Sequence, residues 1–342
     1  MTQYIVRRIL VAFPMLIVIT YINFALMRLA PGDPTLFMFV TAETQGMTPQ
    51  QVRDQLGVQE AYKGRGEDEG TSNRDYLHER LGLNDPIHIQ YFRWLGRVVQ
   101  GDFGRAMRTA ELIGPELAVR VRVTIRLTVL ATLLSVGIGV VAGSLSALYQ
   151  YSAFDNIVSF ITYILISVPG FLLATWVIII FAIRLGWFPA GGMYNARTGG
   201  DFWDRVYYLI LPVMAMGISG SAGLIRWTRT SVLETMRADY VTVARAKGLK
   251  ERIVRSRHIF RNALLPILTI VGRSIPFVIG GSAFFEIVFN YPGVGMWTAK
   301  AAEAKDFSIM IATITVTAVL VILSNLIVDI CYCWVDPRVT YS

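Results

Sequence analysis

Long apolar runs separated by polar segments dominate the chain, and six of them reach the roughly 20 residues needed to cross about 30 Å of hydrocarbon. They cover about 5–29, 122–149, 156–183, 206–228, 263–285 and 306–334. None alternates apolar and polar with a period of two, and backbone polar groups cannot go unpaired in lipid. Each run is therefore expected to be a helix. The expected fold class is an all-α membrane protein: six transmembrane helices, an external helical loop subdomain and a cytoplasmic loop carrying a short helix. Residues 1–30 hold the first helix, 31–121 the external subdomain, and 122–342 a five-helix core that includes the cytoplasmic loop 229–262.

The first run, Ile9 to Leu29, follows Arg7 and Arg8 as a signal peptide would. It is too long for the apolar region of such a signal, and it ends in Arg28 and Ala30-Pro31-Gly32-Asp33-Pro34 with no A-x-A-like cleavage site. It is expected to stay as a span.

Composition agrees with a lipid setting. The 342 residues are 54% hydrophobic and 16% charged, with a mean hydropathy of +0.50, against about 25% charged in soluble domains. A net charge of +8 raises nucleic acid as a partner, but single-strand binders do not carry several long apolar runs, and no nucleic acid is expected. The basic residues instead set orientation. The loop after the fourth run holds Arg229, Arg237, Arg245, Lys247, Lys250, Arg252, Arg255, Arg257 and Arg261 against Glu234, Asp239 and Glu251. With Arg7, Arg8 and Arg338, these clusters fall on one side if the spans number six, which places both termini and that loop in the cytoplasm.

Chemistry is sparse. Cys331 and Cys333 form no disulfide framework or zinc site and read as small apolar residues of a helix. His78, His88 and His258 lie far apart, so no metal is expected. No G-x-x-x-x-G-K-[ST] loop occurs, so the chain does not itself bind ATP by a P-loop, and neither H-E-x-x-H nor G-x-S-x-G is present. Arg273 and Asp329 are the clearest ionisable residues inside the runs, with Glu286 near a run's end. A carrier driven by an ion gradient is the alternative reading; it would need more intramembrane carboxylates or internal repeats.

Pro14, Pro169, Pro212, Pro266 and Pro276 are points where helices kink. Gly139 and Gly143, beside Gly137, allow close helix approach. Polar or kinked positions in the third to fifth runs, Ser167, Pro169, Ser219 and Ser274, are candidates for a solute path.

In the external segment, Gly57 through Asn73 is rich in glycine and charge. Tyr76–Leu83 and Ile87–Val99 read as two amphipathic helices, with Asn84 or Asp85 as N-cap and Pro86 at the first helical position. Ile113 to Val123 leads into the second run along the membrane interface. In the cytoplasmic segment, Leu233, Met236, Tyr240, Val243 and Ala244 make an apolar stripe that Gly248 ends in the left-handed conformation. Ile253, Val254 and Phe260 mark a second short helix. By its residues alone, this basic amphipathic segment suits anionic lipid and a protein partner equally.

Six motifs stand in order along the chain: Ala30-Pro31-Gly32-Asp33-Pro34; Leu81-Gly82-Leu83-Asn84-Asp85-Pro86 with Gln90-Tyr91-Phe92-Arg93-Trp94-Leu95; Gly101-Asp102-Phe103-Gly104; Gly186-Trp187-Phe188-Pro189-Ala190-Gly191-Gly192; Tyr291-Pro292-Gly293-Val294-Gly295; and Asp329 through Asp336-Pro337-Arg338. In this order they resemble the transmembrane permease subunits of ABC importers for dipeptides, oligopeptides and nickel, specifically the first of their two permeases. The family's loop pattern is Glu-Ala-Ala, three residues, Gly, nine residues, then Ile-x-Leu-Pro. Anchored on Gly248, it falls on Thr242-Val243-Ala244 and on His258-Ile259-Phe260-Arg261, so the Glu and the Leu-Pro are replaced. Ala244-Arg245-Ala246-Lys247-Gly248-Leu249 has the form of the peptide subgroup, while residues 58–73 read as an insertion.

The resemblance implies a pore-forming subunit in the cytoplasmic membrane that moves peptides, or a related solute such as nickel, inward by alternating access. It implies a second homologous permease, two ATP-binding subunits and an extracytoplasmic solute-binding protein as partners, with membrane lipid around them. The chain is then not an enzyme and binds no cofactor, ATP and magnesium sitting on the partners. The short cytoplasmic helix becomes a coupling helix that docks an ATPase through Tyr240, Val243, Ala244, Arg245, Ala246, Lys247, Gly248 and Leu249.

Overall fold

The computed structural model describes residues 2–29, 84–195, 197 and 199–335. The Ala30–Pro34 motif, the insertion 58–73, the helix expected at Tyr76–Leu83 and the closing Asp336-Pro337-Arg338 lie outside the described residues, as do the side chains of Arg273, Ser274, Pro276, Asp329, Cys331 and Cys333. Among the described residues the chain is helical, with no named strand and one isolated bridge between Arg105 and Leu112.

Each expected span falls on a helix. They are α1 (Thr2–Leu29), α3 (Ile113–Leu148), the pair α4 (Ala153–Ser167) and α5 (Gly170–Val177), α6 (Phe202–Met236), α9 (Arg261–Val288) and α11 (Phe307–Val335). Among the described residues, four helices are long and apolar enough to cross a membrane, or five if α4 and α5 count as one span. Between them lie α2 (Ile87–Val99), α7 (Asp239–Ala246), α8 (Glu251–Ile253) and α10 (Val294–Glu303). Residues 113–123 are not a separate interfacial piece; they are the opening turns of α3, which runs on without a break because nothing in that stretch interrupts the i→i−4 ladder beyond Pro115 in its first turn. Pro86 stands one place earlier than expected, as the N-cap of α2 without a side-chain bond, and Asp85 instead pairs with Arg93 at 2.8 Å.

The chain divides into two compact units. One comprises Phe13–Val121 and Trp297–Val319. In it Tyr91 of α2 is fully buried against Phe24 and Ile311, its hydroxyl 2.8 Å from Thr20 Oγ1. The Asp306 carboxylate accepts the Ile309 N–H at 3.1 Å and the Met107 N–H at 2.8 Å, tying the start of α11 to the turn before α3.

The other unit comprises Met1–Ala12, Arg122–Met296 and Leu320–Ser342. Lipid is as apolar as leucine, so its helices are held by close packing and polar bonds more than by water exclusion. Small residues provide the closeness. A Cβ on Gly139 would sit 2.5 Å from Leu224 Cβ, and one on Gly143 2.6 Å from the Ile225 carbonyl oxygen. From the opposite side, a Cβ on Gly217 would lie 2.8 Å from Leu134 Cδ2. The α3–α6 seam is therefore closed at backbone distance.

Beyond α9 the chain folds back on it. Glu286 is fully buried; its Oε1 accepts the Thr124 hydroxyl at 2.6 Å and its Oε2 the Met296 N–H at 3.1 Å. The motif Tyr291-Pro292-Gly293-Val294-Gly295 passes so close that a Cβ on Gly293 would lie 2.3 Å from the Glu286 carboxyl carbon. No side chain fits there.

Candidate functional site

Two features of the second unit stand out: a sharply bent helix pair and a short helix with one bare face. The bend lies between α4 and α5, which meet at 109°. Pro169 has no N–H and disfavours helical geometry at the residue before it. Val168 is accordingly extended at φ −91°, ψ 122°, and Pro169 caps α5 at φ −56°, ψ 138°. The Val168 N–H still closes the last turn of α4 onto the Ile164 carbonyl at 3.0 Å, and the Pro169 carbonyl opens α5 by accepting the Leu172 N–H at 3.0 Å. Beyond Val177 the helix widens through Ile178–Arg184, where the Leu185 N–H reaches the Ile180 carbonyl at 3.0 Å.

Of the four path candidates, the structure brings Pro169 and Ser219 to one place. A Cβ on Gly170 would meet Ser219 Oγ at 3.1 Å and Phe285 Cζ at 3.1 Å, so the bend abuts the middle of α6 and the last turns of α9. Ser167 is exposed one step before the bend, its hydroxyl returned to the Tyr163 carbonyl at 2.9 Å. For Ser274 only the backbone, within α9, is described.

The short helix is α7. The expected single stripe from Leu233 to Ala244 is split, because α6 stops at Met236 and Ala238 is extended before α7 begins. Leu233 and Met236 belong to α6, while Val241 and Ala244 are the inward residues of α7. They pack on Ala147 of α3, Val232 of α6 and Val254, Ile259 and Ala263 around the start of α9. Tyr240, Val243, Arg245, Ala246, Lys247 and Leu249 face out, with Tyr240 44% and Val243 51% exposed. Gly248, at φ 75°, ends the helix. Its N–H reaches the Arg245 carbonyl at 2.9 Å, and the Leu249 N–H reaches the Ala244 carbonyl at 3.4 Å, the paired bonds of a left-handed C-terminal cap.

The expected second short helix is α8, which passes through a wider turn, Val254–Phe260, directly into α9. Arg245 pairs with Glu251 at 3.0 Å and Arg255 with the same carboxylate at 3.4 Å. Arg245 foremost, with Arg255, holds the Glu251 carboxyl below the usual carboxylate range.

One polar cluster was not anticipated. Arg229 counts in the sequence only as one of many loop charges, yet it pairs with Asp155 at 2.8 Å. The available signal was Ser152-x-x-Asp155, a capping-box spacing; Ser152 does accept the Asp155 N–H at 3.2 Å.

Several long apolar helices and a sharply bent helix pair, with a short amphipathic helix bare on one side, define a multi-pass membrane protein. The pattern of the family described as binding-protein-dependent transport system inner membrane component matches residues 139–341, and the chain belongs to that family. It is 37% identical over 342 residues to the oligopeptide transport system permease protein AppB of Bacillus subtilis, with 100% of both chains covered. It is 35% identical over 359 residues to the dipeptide transport system permease protein DppB of Alkalihalophilus pseudofirmus, again with 100% of both covered. Among solved structures, the inward-facing MetNI methionine ABC transporter matches with a TM-score of 0.53 at 18% identity, over 64% of this chain and 96% of that one. That likeness is one of fold.

Proposed function

We propose that this chain is a pore-forming permease subunit of an ATP-driven ABC importer that carries peptides inward across the cytoplasmic membrane, and that it is the first of two paired permeases. The observation that carries this is full-length similarity to oligopeptide and dipeptide permeases. In this reading six helices span the bilayer, α4 and α5 forming one broken span and α9 the fifth, with both termini in the cytoplasm. A second homologous permease completes the path, two ATPases dock beneath, and an external solute-binding protein delivers the peptide. ATP and magnesium act on the partners, and this chain makes and breaks no bonds.

α7 is the coupling helix. Its inner face is already committed to α3, α6 and α9, so its bare face is left for an ATPase, and a push on it reaches those three helices. Closing of the ATPases then rocks the bundle between inward and outward access. The bend near Pro169 and Ser219 is where the path is expected to narrow, since irregular backbone at membrane depth is tolerated when it lines a cavity or is buried in protein.

The test is uptake by proteoliposomes containing the chain, its permease partner, the ATPases and peptide-loaded binding protein. Peptide entry that requires internal ATP supports the reading. Entry without ATP under an imposed ion gradient would overturn it in favour of a secondary carrier.

A further inference from the structure

Asp155, in the first turn of α4, is 2% exposed although it carries a carboxylate. Its oxygens accept Arg229 Nε and Nη2, each at 2.8 Å, the Tyr151 N–H at 2.9 Å and the Ser146 hydroxyl. One carboxylate thus joins the end of α3, the turn after it, the start of α4 and α6. Tyr151 holds φ 65°, a left-handed conformation unusual for a side chain of its size, so the turn keeps a shape the free chain would avoid.

The position matters as much as the bonding. Arg229 lies about two turns before the end of α6, and α6 leads directly to α7. The α3–α6 seam is closed without it, by Gly139 and Gly143. What the pair adds is a two-bond, orientation-fixing link from α6 to the half of the bent span that ends at Ser167. Burying the Asp155 carboxylate beside a half-buried arginine is a costly way to hold helices that apolar contacts could hold as well. Direction is what it supplies beyond attachment.

We propose that Asp155 and Arg229 are positioning residues for transport, carrying movement of α7 through α6 to α4 and so to the bend at Val168–Pro169. The proposal rests on reading α7 as the ATPase-docking helix.

The experiment uses the complete complex in proteoliposomes, with a Ser167→Cys label site in every version. Three quantities are read: basal ATP hydrolysis, hydrolysis stimulated by peptide-loaded binding protein, and the ATP-dependent change in thiol labelling at position 167. Asp155→Asn keeps one oxygen, enough to go on accepting the Tyr151 N–H, and turns its amide nitrogen to the Ser146 hydroxyl, which can accept from it, but it loses the charge and one of the two bonds to Arg229. It is expected to leave basal hydrolysis within about twofold of the parent, to lower the stimulated rate about tenfold, and to abolish the labelling change. Arg229→Lys keeps the charge but loses the two-bond geometry and is expected to lie between; it carries the test if Asp155→Asn does not assemble. Basal and stimulated rates falling in parallel would make the pair a fold element only and overturn the proposal. So would all three quantities staying unchanged. A parent complex with no peptide stimulation at all would overturn the docking role of α7, and this proposal with it.

Discussion

Thr124 and Glu286 are 162 residues apart and share a hydrogen bond of 2.6 Å, with the same Thr124 oxygen accepting the Val294 N–H at 2.9 Å. The threonine is thus a bridge between a buried carboxylate and the loop that folds over it. Thr124→Val preserves shape and removes both bonds, leaving the Glu286 Oε1 with the longer Ser282 hydroxyl bond at 3.4 Å and taking one acceptor from the Val294 N–H. Each lost bond costs about 0.5–1.5 kcal/mol. A lower thermal unfolding midpoint of the detergent-solubilised protein is expected, whereas Thr124→Ser should stay near the parent.

Two glycines make opposite demands and can be told apart. Gly293→Ala drives a methyl into the carboxyl group of Glu286, a fully buried side chain, and is expected to impair folding outright. Gly248→Ala meets nothing within 4 Å but must hold φ 75°, at a local cost of about 1–2 kcal/mol. It should lower the unfolding midpoint by a few degrees at most, far less than Gly293→Ala, and lower peptide-stimulated ATP hydrolysis. Equal loss of thermal stability in the two variants would contradict this account.

The two faces of α7 separate in the same way. Val241→Ala hollows a fully buried position and is expected to destabilise by about 1–3 kcal/mol. Tyr240→Ala, at a residue 44% exposed, should leave stability within about 0.5 kcal/mol and reduce co-purification with the ATPases. Undiminished co-purification would remove Tyr240 from the docking face.

Pro169→Ala restores a backbone N–H and frees Val168 to become helical. Closing of the 109° bend is expected, read as a longer distance between spin labels on α4 and α5, together with loss of uptake. An unchanged distance would mean that packing against Ser219 and Phe285, rather than the proline, enforces the break.

The Arg245–Glu251–Arg255 cluster lies between α6 and α9, outside the long apolar helices. Glu251 is held below its ordinary range, so its contribution is complete above the free Glu value and disappears as pH falls through the lowered one. Amides of the turn after α7 should therefore lose exchange protection, corrected for intrinsic rates, only below about pH 4. Glu251→Gln should abolish that pH dependence, and high salt should weaken the pairing wherever Glu251 is ionised.

Every long apolar run became helical where it was expected, the third as the broken pair α4 and α5, because in lipid each backbone donor must be satisfied within its own segment and run length alone fixes the element. Gly248 was legible as a helix stop for the same local reason, and Pro169 as a break, since both act through their own φ and their neighbours'. The stripe through Leu233 and Val243 was misleading: helical spacing continues across 237–238 while the backbone does not, and spacing carries no information about a turn that costs few residues.

What tertiary structure alone decided are the pairings of distant residues: Asp155 with Arg229, Thr124 with Glu286, and the bend with Ser219. In the sequence these are single polar residues among apolar neighbours, and which partner each one finds depends on how helices stack. Stacking is set by glycines such as Gly139 and Gly143, whose spacing reveals that something approaches closely but not what. The chain by itself therefore determined where its long helices lie and the ends set by Gly248 and Pro169, through local backbone chemistry. Packing determined which buried charge answers which.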